Sequence, residues 1–194
     1  GGSGFRMKPF SLYTAKQLLP VLNKPVLFHN MDLLLEAGVT EIGIVVGPMK
    51  KYVLEEIAHS DYRERADIFL IEQQEPKGLA HAVRSSRSFL ADDDFVMVLG
   101  DNYFQMNLVK AVELFTTSNA SSLVALTEID DPKRYGIAVV EENEVKSVQE
   151  KPKFAQSNWA LAGLYIFRPF IHEVIANLQP SSRQEYEITD AIQV

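Results

Sequence analysis

The chain of 194 residues predicts an α/β fold, Rossmann-like and three-layered, with a mostly parallel central sheet and a mixed or antiparallel extension. Three observations predict it. Short apolar β runs alternate with helical stretches through the first half of the chain. One of those runs, Phe95-Val96-Met97-Val98-Leu99, is apolar throughout and ends abruptly in Gly100-Asp101-Asn102. Beyond about residue 120, strand-like segments follow one another closely, which marks the extension.

Residues 1–24 are rich in Gly, Pro and Ser and read as a long loop. Pro25 sits where a helix can begin. The helix carries Val26-Leu27-Phe28 through Leu33-Leu34-Leu35, and Gly38 ends it. Glu41 to Val46 is a buried strand stopped by Gly47-Pro48, and a helix over about 49–59 leads to a strand at Ile68-Phe69-Leu70-Ile71. Gly78 opens the next helix, which runs to about Leu90, before the apolar strand at 95–99. Right-handed crossovers put the loops of this β-α-β-α-β series at one edge of the sheet. Strands are then expected at Ser122 to Ile129, Gly136 to Glu141, Val145 to Gln149 and Trp159 to Phe167, with helices near 170–178 and from Glu187 onward. No repeat, linker or low-complexity tract divides the chain, so residues 1–194 read as one domain. Its pattern changes near residue 120, dividing it into halves of about 1–120 and about 121–194. The chain starts in a loop with no strand before it and stops a few residues into a helix. The expectation is therefore a functional molecule with more chain at both ends, including a first strand.

Composition narrows the functions open to it. A net charge of −7 is the wrong sign for a nucleic-acid surface, which needs clustered Lys and Arg. It leaves room for a nucleotide ligand, which needs only a few placed cations. With no cysteine, disulfides, thiolate metal sites and Cys nucleophiles are excluded. No apolar run approaches the ~20 residues that span a bilayer, and no signal-peptide pattern opens the chain. The expectation is a soluble, cytoplasmic protein. His29, His59, His81 and His172 lack metal-ligand spacing.

Four constellations carry chemistry. In the first, Gly1, Gly2 and Gly4 flank Ser3 ahead of Arg6, and Lys16-Gln17-Leu18-Leu19-Pro20 follows. Glycines let backbone N–H groups turn inward to phosphate oxygens, and Arg6 and Lys16 add positive charge. The glycines alone read equally well as a flexible linker. In the second, Gln73 to Ala80 forms a strand end, a turn and a helix start. Gln73 can donate and accept at once, and Gly78 permits a close backbone approach. A surface Gln and a capping Gly fit the same residues. The third is Asp101, a carboxylate just past a buried strand, suited either to Mg2+ or to capping a turn. The fourth comprises Arg134-Tyr135-Gly136, Glu150-Lys151-Pro152, Gly163-Leu164-Tyr165 and Arg183 ahead of Glu185-Tyr186-Glu187-Ile188-Thr189-Asp190.

In this order and spacing, Gly-Gly-Ser-Gly-x-Arg-x-x-Pro, Lys-Gln-Leu-Leu-Pro and Asn23-Lys24-Pro25 resemble the opening signature of the sugar nucleotidylyltransferases. The resemblance extends through all four constellations and nearly the whole chain. Gln17 resembles the thymidylyl branch, whereas Phe5 departs from the Thr usual there. The resemblance implies a nucleotidyltransferase fold and Mg2+-dependent transfer from dTTP to glucose 1-phosphate, giving dTDP-glucose and pyrophosphate. It implies homo-oligomers as well. Arg6 and Lys16 would meet the triphosphate, Gln73 and Gly78 the base, and Asp101 the Mg2+. Glu150 would accept from sugar hydroxyls, Lys151 and Arg183 would hold the sugar phosphate, Gly136 would let its backbone approach the sugar, and Tyr165 would line the pocket. A second metal-binding Asp, in a Trp-x-Asp-x-Gly stretch of relatives, lies downstream of where this sequence stops. Two alternatives stay open: a relative using UTP or another base or sugar, and a non-catalytic nucleotide-sugar-binding module.

Overall fold

The computed structural model describes residues 15–48 and 50–194. In chain order its elements are β1 (Pro20–Val21), β2 (Lys24–Pro25), α1 (Val26–Glu36), β3 (Glu41–Val46), α2 (Lys50–Ala58), α3 (Tyr62–Arg65), β4 (Asp67–Glu72), α4 (Leu79–Ser85) and α5 (Arg87–Leu90). There follow β5 (Phe95–Val98), α6 (Leu108–Thr117), β6 (Ser122–Glu128), β7 (Gly136–Glu141), β8 (Glu144–Glu150), β9 (Trp159–Phe167), α7 (Ile171–Asn177) and α8 (Ile188–Gln193). They gather into two compact units. The first takes the described residues up to Pro76 together with Val98–Ser118; the second takes Lys77–Met97 and Asn119–Val194.

In the first unit, β1 and β2 form a minute hairpin whose central residues, Leu22 and Asn23, have φ of 50° and 62°. Two successive positive φ values define the type I′ turn that matches strand twist. The hairpin delivers the chain into α1, where Pro25 is the N-cap and Val26 N–H bonds Leu19 O at 3.1 Å. Gly38, at φ 83°, ends the helix. The N–H groups of Gly38 and Val39 return to Leu35 O and Leu34 O, satisfying carbonyls the helix leaves open. β3 alternates as a half-buried strand should, with Ile42, Ile44 and Val46 inward. It runs parallel to β4 in a register from Glu41↔Asp67 to Val46↔Glu72. Met31 of α1 and Val53 of α2 complete this core, fully enclosed. Truncating Met31 to Ala would cost ~2–5 kcal/mol.

The sequence reading places no element between Asn102 and Ser122, yet α6 lies there. Asn107 caps it, accepting from Lys110 N–H at 3.0 Å, and Leu108 and Phe115 are its buried anchors.

The second unit holds a five-stranded sheet in the order β5-β9-β7-β8, with β6 also paired to β9. The β6–β9, β7–β8 and β7–β9 pairs are antiparallel, the extension expected after residue 120. β7 and β8 meet through Glu142 and Asn143, again with two positive φ values. The single helix expected from Gly78 to about Leu90 is two. Ser86 ends α4 and starts α5, and its hydroxyl donates to Ala82 O at 2.9 Å, the back-bonding that weakens a helix interior. Ala138, Phe167 and Ile175 centre this core, with α4, α7 and α8 packed on one another. Among the described residues, no helix is long and apolar enough to cross a membrane.

Candidate functional site

Two groups of charged side chains sit just past strand ends, one in each unit. In the first unit, Lys16 lies in a 3-10 turn, Lys16–Leu18, and its Nζ is 3.2 Å from Asp101 Oδ2. α1 sets both partners. His29 Nε2 lies 2.8 Å from Val21 O, tying the hairpin beyond Lys16 to the helix. One residue on, buried Asn30 donates from Nδ2 to Leu99 O at 3.3 Å, while Asn102 N–H closes a turn onto the same carbonyl at 3.1 Å. Asp101 is thus presented by an anchored turn. With Asp101 42% and Lys16 26% exposed, this is a pair that solvent or a ligand can reach. Gln73, just past β4, is buried at 5% exposure, and its N–H bonds Val46 O at 2.9 Å. Arg6, Gly1, Gly2 and Gly4 lie outside the described residues.

The second unit brings Gly136, Glu150, Lys151 and Arg183 together. β7 and β8 pair so that Gly136, the first residue of one, faces Glu150, the last of the other. A Cβ on Gly136 would stand 2.7 Å from Thr189 Cγ2 and 3.2 Å from Glu150 Oε2, so the glycine makes room for both. Lys151 follows with φ 44°, a left-handed conformation that costs a non-glycine residue about 1–2 kcal/mol. Its N–H bonds Tyr135 O at 2.9 Å, and its Nζ rests 3.1 Å from Glu150 Oε1. Backbone strain at a charged residue is a feature of functional sites.

Arg183 reaches the same carboxylate, with Nη2 3.4 Å from Glu150 Oε1. Its tighter partner is Glu187, whose side chain is 8% exposed. Glu187 Oε1 accepts from Nε at 3.1 Å and from Nη2 at 2.8 Å, and Oε2 accepts from Nη2 at 2.8 Å. Ser181 Oγ donates to Glu187 Oε1 at 2.7 Å, and Glu185 Oε2 accepts from Nη2 at 2.7 Å. Burial, then the charge of Glu187, pushes the Glu150 carboxyl above its ordinary range, with Arg183 pulling the other way. Asp190 is raised by burial and again by Glu187. Tyr165 is a core residue, its ring stacked on Phe167 with centroids 5.7 Å apart. Burial and then the charge of Glu150 push its hydroxyl up.

Gly78 stands slightly apart in the same unit. At φ 98°, a Cβ there would fall 2.4 Å from Tyr186 O and 2.9 Å from Tyr186 N. Tyr186 is stitched across it: its N–H bonds Lys77 O at 2.7 Å, and Ala80 N–H bonds Tyr186 O at 3.1 Å. The close approach that this glycine permits is by the protein's own backbone. Sequence reasoning quoted Glu187 and Thr189 within the fourth constellation without giving either a role, and it missed Ser181; the buried Oγ1 of Thr189 has no hydrogen-bond partner among the described residues. The one available signal was the Arg183 to Glu187 spacing of four residues.

Paired cations and carboxylates at strand ends of an α/β fold are the equipment of phosphate-handling proteins. The chain belongs to the nucleotidyl transferase family, whose model matches residues 1–194. It is 40% identical to a glucose-1-phosphate thymidylyltransferase of Streptomyces griseus, over all of this chain and 54% of that one. Among solved structures it is similar to a Bacillus anthracis protein assigned as a glucose-1-phosphate thymidylyltransferase, in complex with a sucrose. The TM-score is 0.89 at 32% identity, covering 98% of this chain and 78% of that chain. It is also similar to a UDP-glucose pyrophosphorylase complexed with UDP-glucose, with a TM-score of 0.86 at 27% identity, covering 100% and 83%. The chain spans about half the length of the Streptomyces relative.

Proposed function

We propose that the protein transfers a nucleotidyl group from dTTP to glucose 1-phosphate, giving dTDP-glucose and pyrophosphate. The observation that carries this reading is the convergence of Glu150, Lys151 and Arg183, drawn from a strand end and a distant loop into one cluster. Two cations beside a carboxylate suit a molecule with a phosphate at one end and hydroxyls at the other. A phosphate oxygen of the sugar phosphate attacks the α-phosphorus of the triphosphate. The bond from that phosphorus to the bridging oxygen breaks, and pyrophosphate leaves. The nucleophile is already ionised, so the protein's work is positioning and charge neutralisation.

Lys151 and Arg183 hold the sugar phosphate, Glu150 accepts from sugar hydroxyls beside the Gly136 backbone, and Tyr165 backs that pocket from the core. Arg6, Lys16 and the Gly1, Gly2 and Gly4 backbone take the triphosphate, and Gln73 takes the base, while Gly78, expected beside it, is spanned by the Tyr186 backbone. The nucleotide is served by residues of about 1–120 and the sugar phosphate by residues of about 121–194, in one domain. Among the described residues no group of three His, Cys, Asp or Glu is placed to hold a metal. Asp101, exposed at an anchored turn, fits Mg2+ in the mode where one carboxylate shares the ion with phosphate oxygens and water. When bound, Mg2+ supplies positive charge against the triphosphate. A cytoplasmic homo-oligomer completes the reading.

The thymine preference is supported by Gln17 and by the thymidylyltransferase relatives, and the likeness to a UDP-glucose pyrophosphorylase makes UTP the competing base. The test is pyrophosphate release by the full-length protein with Mg2+, glucose 1-phosphate and each of dTTP, UTP, GTP, CTP and ATP. Turnover with dTTP foremost, lost in Asp101→Ala and Lys151→Ala, is expected. Preference for UTP corrects the base. A folded protein silent with all five, yet binding dTDP-glucose, is a binding module.

A further inference from the structure

Arg183 bonds to three carboxylates, and its bonds are unevenly distributed. A guanidinium offers five N–H donors in a rigid fork. Those of Arg183 that are engaged run from Nε and Nη2, to Glu187, Glu185 and Glu150. Among the described residues, Nη1 is engaged in none of these bonds. The three carboxylates do not compete equally. Glu185 is 40% exposed, so water and salt screen its pair with Arg183. Glu150 is at 3.4 Å, beyond a good hydrogen bond, and it already faces Lys151. Glu187 is 8% exposed, takes three of the bonds and covers the Nε–Nη2 edge. Its own carboxylate is oriented by Ser181 Oγ, which also accepts from Arg183 N–H at 3.2 Å.

We infer that Glu187 is a positioning residue: it holds the Nε–Nη2 edge of Arg183 and keeps Nη1 turned outward to receive a phosphate oxygen of the sugar phosphate. The inference rests on the reading of Arg183 as a phosphate ligand. Glu187 touches no substrate in this arrangement. Without it, the guanidinium is free to swing onto Glu150, which would occupy both the cation and the carboxylate that the sugar needs. A carboxylate behind a phosphate-binding arginine costs charge, yet it fixes the plane of the fork and so the direction in which Nη1 is offered to a phosphate oxygen.

The test measures affinity for glucose 1-phosphate, and separately for inorganic phosphate, by titration calorimetry on the full-length protein. Glu187→Gln keeps the shape and one acceptor but puts an NH2 where the second oxygen was. It is expected to weaken glucose 1-phosphate about tenfold, with nucleotide affinity unchanged and the sugar-phosphate KM raised more than kcat falls. In an Arg183→Lys background, Glu187→Gln should add almost nothing, because a lysine has no planar fork to orient. Glu185→Gln should stay near wild type. Equal weakening of both substrates, or a Glu187→Gln effect that multiplies undiminished with Arg183→Lys, overturns the inference. Should Glu187→Gln fail to fold, Ser181→Ala gives the same reading, with a few-fold weakening expected and wild-type affinity overturning it. A wild-type protein that makes no nucleotide sugar but binds phosphate through Arg183 removes the proposed reaction and leaves this inference standing. One that binds neither glucose 1-phosphate nor inorganic phosphate overturns it.

Discussion

The Lys16–Asp101 pair and the Arg183–Glu187 network are both ion pairs, and they are built in opposite ways. The first is a single contact at 3.2 Å, open to solvent, between a 3-10 turn and an anchored loop. The second binds one guanidinium to a nearly buried carboxylate that a serine holds in turn. An exposed pair contributes ~0–1 kcal/mol and is easily exchanged for a ligand or an ion. Removing a nearly buried carboxylate that takes charge-assisted hydrogen bonds costs ~1.5–3 kcal/mol, since Arg183, itself 34% exposed, keeps Glu185 and Glu150 as partners. The difference teaches that one cluster is made to be opened, whereas the other is made to keep its shape.

The largest effect is therefore expected where stability changes least. Asp101→Ala should lower turnover of the full-length protein ~100-fold or more, while thermal unfolding shifts by no more than the loss of a surface pair allows. Glu187→Ala should do the reverse, lowering stability by ~1.5–3 kcal/mol, read by denaturant unfolding. If both variants lost stability alike, the contrast between an exchangeable pair and a fixed one would be broken.

Glycines sharpen it further. Gly78→Ala places a Cβ 2.4 Å from Tyr186 O at a backbone angle that only glycine holds easily. A loss of ~2 kcal/mol or more is expected, together with weaker sugar-phosphate binding, since Tyr186 lies between Arg183 and Glu187. Gly136→Ala meets the softer Thr189 methyl at 2.7 Å and should cost ~1–3 kcal/mol. Unfolding curves of the two variants beside wild type settle the order.

The Gly78 result also shows what the sequence could and could not convey. Its conformational freedom was legible from the residue alone, but its reason, the Tyr186 backbone laid across it, joins positions over a hundred residues apart. Most strands were legible because their apolar runs are dense and bounded: Glu41–Val46, Gly136–Glu141 and Trp159–Phe167 fall where the pattern puts them. α6 was not read, although Asn107 ahead of Leu108, Val112 and Phe115 carries a cap and a helical period. The break at Ser86 was hidden because a serine inside a helical pattern looks neutral until its hydroxyl bonds Ala82 O. In the site, Glu150, Lys151 and Arg183 could be named from motif resemblance. Glu187 lies in the same motif but was given no role, because in Glu185-Tyr186-Glu187 it looks like one more solvated acid. Only the fold shows that one glutamate of that pair is exposed and the other enclosed.

Lys151 tests the strain on the second cluster directly. At φ 44° a glycine is more comfortable than a lysine. Lys151→Gly is expected to raise stability by ~0.5–1 kcal/mol while turnover falls, a stability gain with functional loss measured on one sample. Equal or lower stability would mean that the Lys151 side chain holds the loop through Glu150 more firmly than the backbone resists it.

The smallest effect is the pH dependence of the second cluster. A carboxyl raised by burial binds its proton more tightly in the folded chain than in the unfolded one. Its contribution is therefore fully present below the ordinary carboxylate pKa and is lost as pH rises through the raised value. Glu150 and Asp190 both act in this direction. His172 acts against them. Burial, then the charge of Arg87, holds its imidazole below the usual value, so its contribution is fully present above the ordinary imidazole pKa and is lost as pH falls through the lowered one. The net curve mixes the two, and the difference between wild type and Glu150→Gln isolates one. Gln cannot ionise, so Glu150→Gln should gain on wild type as pH rises from the carboxylate range toward neutrality, and the gain should level off once Glu150 is fully ionised. A flat difference would mean that Lys151 and Arg183 compensate Glu150 completely, leaving the dense cluster as indifferent to protons as a well-solvated pair.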